Sequence, residues 1–304
     1  MPVFYSNPNK SISAGKILGF AHKAATLLFL LFFMRIVTPA LASESAEYFD
    51  NIGFEERYAK EMGRLMEEGK TRPVSELVEQ LKAEKGYAFT PTPRKIDEAL
   101  RAAQLYRRLS GAVVGLGNVY LCDRCDKLHP SLAGGVIIGE DGHILTNYHV
   151  LDVSSKAQAL GVILRDGRVF PIDEVLASDK ANDLALVKID AEGLTAATVA
   201  EDVPVGADVF VISHPDRHYY IFTSGVVSGK NLGRTREGVV EQISITADYA
   251  RGSSGAPAFN SRGEIVGLVR STDTVLYDRK HKSQVQMVWK YLVPFTSIKD
   301  LLGE

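Results

Sequence analysis

At Gly111 the character of the chain changes, and the residues beyond it leave few folds open. Short β-branched runs succeed one another, separated by turn residues: "AVVGLGNVYL", "GGVIIG", "HILTNYHV", "ALGVIL", "RVFPI", "LALVKI", "DVFVI", "IFTSGVVSG", "VVEQISITA" and "EIVGLVR". Asp141-Gly142 and Asp166-Gly167 are hairpin turn signals between such runs. No helical pattern intervenes until "PFTSIKDLLGE" at the end. Many short strands with regular turns predict an all-β sandwich or barrel. Residues 111–304 are enough for two small barrels with a shared core, closed by a C-terminal helix.

Residues 43–110 read differently. "FEERYAKEMGRLMEEGK" places Phe54, Tyr58, Met62, Leu65 and Met66 at steps of three and four, one apolar stripe on a charged helix. "PVSELVEQLKAEKG" predicts a second helix ending at Gly86. "TPTPRKIDEALRAAQLYRRLSG" predicts a third, with prolines before it and Gly111 after it. None of the three carries a chemical motif. They are expected to dock on the barrels or on a partner, and residues 43–105 to be dispensable for catalytic chemistry.

Residues 1–42 have a third character. Lys10, Lys16 and Lys23 precede the apolar stretch Ala24–Met34, and "TPALASES" comes next. A basic leader, a short apolar core and a small-x-small site predict a secretory signal peptide cleaved after Ala42. The chain beyond it would then be exported, to a periplasm or outside the cell. The rival is an uncleaved membrane anchor, although the apolar run is shorter than the roughly 20 residues that span a bilayer. Membrane contact is expected only in that case. The formal net charge is −2, with no long basic run, so nucleic acid is not an expected partner.

"ADYARGSSGAPAFN" sets two adjacent serines, Ser253 and Ser254, among small residues. Gly, Ser and Pro also make ordinary surface turns. A serine hydroxyl becomes a useful nucleophile when a base and an orienting carboxylate stand beside it. His149 ends "ILTNYHV", where an apolar strand runs into a polar turn. Asp183 leads directly into the apolar run Leu184–Ile189, and a carboxylate at the mouth of a buried strand needs a partner.

The segments "TNYHV", "NDLALVKI" and "GSSGAP", in that order, resemble the histidine, aspartate and serine motifs of the trypsin/chymotrypsin-like serine peptidases. The likeness is greater to the bacterial trypsin-like, HtrA-like branch. "TSGVVSG" and "GEIVGLV" match in order and position. The resemblance covers about residues 111–304 and implies a chymotrypsin-like double barrel without a cofactor. It implies a serine endopeptidase acting on protein or peptide substrates. A catalytically silent binding or scaffolding protein of the same fold is the alternative. In the G-x-S-G-x-P register the nucleophile is Ser254, and Ser253 is neutral. His149 is then the general base and Asp183 its orienting acid. The backbone N–H groups of Gly252 and Ser254 form the oxyanion hole.

Ala256 stands where the family more usually has glycine, with little expected harm. The resemblance puts Arg270, Ser271 and Thr272 on the strand that pairs with substrate backbone, where an arginine is unusual. It puts Asp248 at the base of the primary pocket, favouring Lys or Arg before the cut. Asp248 capping its own loop is the competing reading. The PDZ domain that is common in the HtrA-like branch is not expected before Glu304.

Cys122 and Cys125 lie in "CDRCDKLH", with His129 four residues on. In an exported protein a Cys122–Cys125 disulfide is the default. The rival is a metal half-site with His129, which would need Asp123, Asp126 or another chain to close it.

Overall fold

A computed structural model describes residues 48–91, 98–125, 127–278 and 280–304. The signal peptide, its cleavage after Ala42 and a role for Asp126 fall outside the described residues. Phe49–Glu304 form one compact unit. Among the described residues no helix is long and apolar enough to cross a membrane.

Seven strands form the first antiparallel sheet: β1 (Val113–Leu121), β2 (Leu128–Gly139), β3 (His143–Thr146), β4 (Ala157–Ile163), β5 (Val169–Pro171), β6 (Glu174–Asp179) and β7 (Leu184–Lys188). Their order is β5-β4-β1-β2-β3-β7-β6. The two edge strands are consecutive in the chain, and the link between them bonds to both sides. Ile172 N–H donates to Leu160 O, and Asp173 N–H donates to Lys188 O. The second half is a closed barrel, β10-β13-β12-β11-β8-β9. Its strands are β8 (Asp208–Ser213), β9 (Ile221–Arg234), β10 (Val239–Ile245), β11 (Pro257–Phe259), β12 (Ile265–Asp278) and β13 (Ser283–Pro294). This is the expected chymotrypsin-like double barrel with a C-terminal helix, Phe295–Leu302, and helices before it. Gly142 (φ +99°) and Gly167 (φ +87°) occupy the two expected hairpin turns in the left-handed conformation that glycine tolerates.

Three strands escape the sequence pattern. β6 mixes acidic and apolar residues, β11 is three residues long, and much of β13 is solvent-exposed on both faces. Only pairing in the folded barrel makes these segments strands.

The N-terminal helices are α1 (Asn51–Glu67), α2 (Val74–Lys82) and α3 (Ala102–Leu109). The third is shorter than its pattern predicts, since residues 98–101 precede it as non-helical chain and residues 92–97 lie outside the described set. The boundary at Gly111 therefore marks a change of secondary structure and not of packing. On β1 and β4, Gly115 and Gly161 give α1 a shallow seat. A Cβ on Gly161 would stand 2.5 Å from Met62 Sδ, and one on Gly115 would stand 3.3 Å from the Phe54 ring. Tyr58, fully buried, donates its hydroxyl to Gly117 O at 2.9 Å. α2 covers the β6 edge, where Gln80 Oε1 accepts from Val175 N–H and Lys85 O accepts from Ser178 N–H. Covering an edge in this way removes a template for unwanted strand pairing.

Candidate active site

His149 lies in a single helical turn, α4 (Tyr148–Leu151), immediately after β3 rather than at the strand end itself. Asp183 sits in the tight turn before β7 at φ +60°, a conformation that Asp tolerates better than most residues. Asn182 braces that turn through N–H and Nδ2 bonds to the Asp179 carboxylate, and Asn147 Nδ2 donates to Asp183 O. The turn aims the buried Asp183 carboxylate at His149. It stands 2.9 Å and 3.0 Å from His149 Nδ1 and accepts the His149 backbone N–H at 3.0 Å. These contacts hold the ring with Nδ1 toward the acid and Nε2 free for other chemistry.

The two serines have different surroundings. Ser253 is fully buried, and its hydroxyl donates to Ser213 Oγ at 3.1 Å behind the loop. Ser254 lines an open cleft of about 560 Å3 together with Gly252 and His149. Among the described residues no hydrogen bond joins Ser254 Oγ to His149. Such contacts often tighten only when substrate arrives. Ser253, Gly255 and Ala256 N–H groups all donate to backbone carbonyls, whereas those of Gly252 and Ser254 donate to no described residue. Both are therefore free to meet a developing negative charge.

The loop is tied across the seam between the two halves. Gly134 N–H on β2 donates to Ser254 O at 2.7 Å. A Cβ on Gly134 would lie 2.6 Å from Ala256 Cβ, so the absent side chain at 134 makes room for the extra methyl at 256.

One of the expected substrate contacts is elsewhere. Asp248 is not at the base of a pocket: its side chain is 83% exposed and pairs with Lys290 Nζ at 2.8 Å. Extended chain alternates its side chains, and here Ala247 and Tyr249 take the inward positions. The Tyr249 hydroxyl reaches Ser271 O and Tyr291 O, both at 2.9 Å. Arg270 falls in a β-bulge, where the β12–β13 register shifts between Val269 and Ser271. Its guanidinium turns toward Asp183, with Nε 3.8 Å from Asp183 Oδ2. Ser271 and Thr272 remain exposed on β12.

No sequence motif points to the loop 214–220, which borders the nucleophile loop. Asp216, Arg217 and Tyr220 all have positive φ. Such residues persist only where surrounding structure holds them. Glu55 of α1 does so, accepting from Arg217 Nε at 2.7 Å and from the Tyr219 hydroxyl at 2.6 Å. In turn Asp216 N–H donates to Arg251 O, one residue before Gly252. Burial raises the Glu55 pKa, but the Arg217 and Tyr219 hydrogen bonds outweigh it and hold the group below its ordinary value. The link was invisible in sequence because Glu55 lies among several acids on an amphipathic helix.

His214 anchors the same loop. It is buried, with Nε2 3.1 Å from Val114 O and Nδ1 accepting Tyr220 N–H at 3.1 Å. Burial pushes its pKa from 6.5 down to about 4. As pH falls from 6.5 the unfolded chain therefore takes up a proton that the folded protein refuses until about pH 4. Folding stability should fall across that window by on the order of 3 kcal/mol, with no further loss from this group below it. Urea melts at pH 7, 5.5 and 4.5 measure this, and equal stabilities at all three would contradict a neutral buried His214.

Cys122 and Cys125 are free thiols with their sulfurs 3.2 Å apart, so the expected disulfide is not formed in this structure. The turn instead gathers both sulfurs beside His129, whose Nε2 is 3.0 Å from Cys125 Sγ. His129 also lines the rim of the cleft.

In this double barrel the two halves meet at a histidine-aspartate pair and a glycine-bound serine loop. Residues 133–268 match the trypsin-like peptidase domain, and the chain is similar to curated DegP-like and DegS serine endoproteases. It is 37% identical over 140 residues to a probable periplasmic serine endoprotease, DegP-like, of Halomonas elongata, covering 45% of this chain and 29% of the relative. It is 34% identical over 140 residues to the corresponding protein of Hahella chejuensis, with the same coverage of 45% and 29%. With serine endoprotease DegS of Escherichia coli it shares 32% identity over 179 residues, 57% of this chain and 48% of the relative. The matches thus span less than half the length of these relatives.

Proposed function

We propose that this protein is a serine endopeptidase that cleaves peptide bonds through an acyl-enzyme. The observation that carries the reading is the Asp183–His149 contact, opening on the cleft that Ser254 and Gly252 also line. Ser254 Oγ attacks the scissile carbonyl while His149 Nε2 takes its proton. Asp183 keeps His149 in the required tautomer and stabilises the imidazolium. The Gly252 and Ser254 N–H groups receive the tetrahedral oxyanion, one such donor being worth roughly 2.7–4 kcal/mol of barrier. His149 then protonates the leaving amine, and water activated by the same base releases the acyl group. The decisive test is a serine-directed phosphonate probe on the folded protein. Labelling at Ser254 supports the reading, and folded protein that takes no label defeats it.

Export is part of the same proposal, resting on the basic leader, the Ala24–Met34 core and the "ALA" site. N-terminal sequencing of the mature protein should begin at Ser43. A protein that still carries residues 1–42 in the membrane fraction would favour the anchor.

With Asp248 exposed and paired to Lys290, no carboxylate at that position is available to select Lys or Arg. Asp248→Ala should therefore leave the relative rates on peptides with Arg, Val, Ala or Phe before the cut unchanged within about twofold, since exposed ion pairs contribute little. A selective loss of Arg-peptide cleavage would return Asp248 to the pocket.

A further inference from the structure

The tip of the β1–β2 hairpin carries a cluster that peptide hydrolysis does not use. We propose that Cys122, Cys125 and His129 bind a thiophilic divalent cation, of which Zn2+ is the natural case. The proposal is independent of the catalytic reading.

The geometry is that of a site already gathered. The two sulfurs and the imidazole nitrogen all lie within 4.8 Å of one another, with separations of 3.2 Å between the sulfurs and 3.0 Å from Cys125 Sγ to His129 Nε2. A tetrahedral Zn2+ with ordinary bond lengths sets its thiolates about 3.8 Å apart and a thiolate and imidazole about 3.6 Å apart. The donors need only spread by roughly half an ångström to admit the ion. The C-x2-C turn also has the local form that supports a metal-bound thiolate, because Arg124 N–H donates to Cys122 Sγ at 3.3 Å. That bond stabilises negative charge on the sulfur.

The frame around the donors is constrained. Leu121 pairs with Leu128 and Tyr120 with His129 in the β1–β2 ladder, which fixes His129 beside the cysteine turn. The Tyr120 ring packs 5.8 Å from the His129 ring. Across the turn, Lys156 Nζ pairs with Asp123 Oδ2 at 2.5 Å and ties it to the start of β4. The three described donors leave a fourth coordination position open. Binding would release the two thiol protons, and no electron transfer is involved. Because Tyr120 and His129 line the cleft that holds His149 and Ser254, the ion would stiffen one wall of that cleft.

The test is a cobalt(II) titration of the full-length chain, reduced and kept anaerobic. One equivalent is expected to produce tetrahedral d–d bands and thiolate-to-cobalt charge transfer, both abolished by adding zinc. The charge-transfer band should be lost in a folded Cys122→Ser/Cys125→Ser variant and kept in His149→Ala, which separates this site from metal bound at the catalytic histidine. Reduced protein that develops no charge-transfer band would overturn the proposal. So would an unchanged spectrum in the double serine variant. So would a Cys122–Cys125 disulfide in the isolated protein, if the thiols take up no metal after reduction.

Discussion

Replacing Ser254 by Ala is expected to reduce peptide turnover by on the order of 10^6-fold, while Ser253→Ala retains most of it. The contrast comes from where the two hydroxyls lie. Ser254 opens on the cleft shared with His149, and its own N–H and that of Gly252 beside it donate to no described residue. Ser253 is buried against Ser213 and has no path to a substrate. Its loss should appear as about 1 kcal/mol of stability, the net worth of one buried hydrogen bond. His149→Ala should be nearly as damaging as Ser254→Ala, because the groups act as a unit. Single-turnover and steady-state assays on the three variants, with melting curves to confirm folding, give the result. Activity surviving in Ser254→Ala, or vanishing in folded Ser253→Ala, would reverse the assignment.

Deleting residues 1–67 is expected to leave no stably folded protease domain. This departs from the expectation that residues 43–105 are dispensable, and α1 is the reason. Its side chains Phe54, Tyr58, Met62 and Leu65 are built into the same core cluster as residues of both sheets and the C-terminal helix. Burying four such side chains is worth roughly 6–12 kcal/mol, an upper figure comparable with the whole stability of a typical domain. Circular dichroism and urea unfolding of the truncated chain test this directly. A cooperative transition like that of the full-length protein would show that the helix is an accessory after all. A milder variant, Glu55→Gln, separates folding from positioning. It keeps the helix seated but weakens the hold on Arg217 and Tyr219, and with it the strained loop that bonds to Arg251 beside Gly252. Turnover should drop about tenfold, equivalent to ~1.4 kcal/mol of barrier, with the fold retained. Wild-type kinetics in that variant would mean that the loop holds itself.

Local pattern sufficed for much of this protein. Short β-branched runs separated by turn residues, Asp141-Gly142 and Asp166-Gly167 among them, mark most of the strands, because a buried strand writes its apolar character into a few adjacent residues. The stripe Phe54–Tyr58–Met62–Leu65 marks α1 for the same reason at helical period. The histidine, aspartate and serine segments are legible through their resemblance to peptidase motifs, and the glycines at 252 and 255, with φ of +93° and +77°, make the tight turn that the serine segment needs. Long-range packing decided the rest. Whether Asp248 faces a pocket or water depended on which residues of its segment the barrel took inward, and Tyr249 won that position. Arg270 turned to Asp183 from a bulge in its pairing with β13, a strand much of whose sequence is polar and exposed. The role of α1 came from glycines on β1 and β4 that seat it, and from Glu55 meeting a loop far along the chain. A sequence records the preferences of neighbouring residues. Which distant groups share a buried contact is set only when the chain closes on itself, because each such contact stands on the rest of the core being formed.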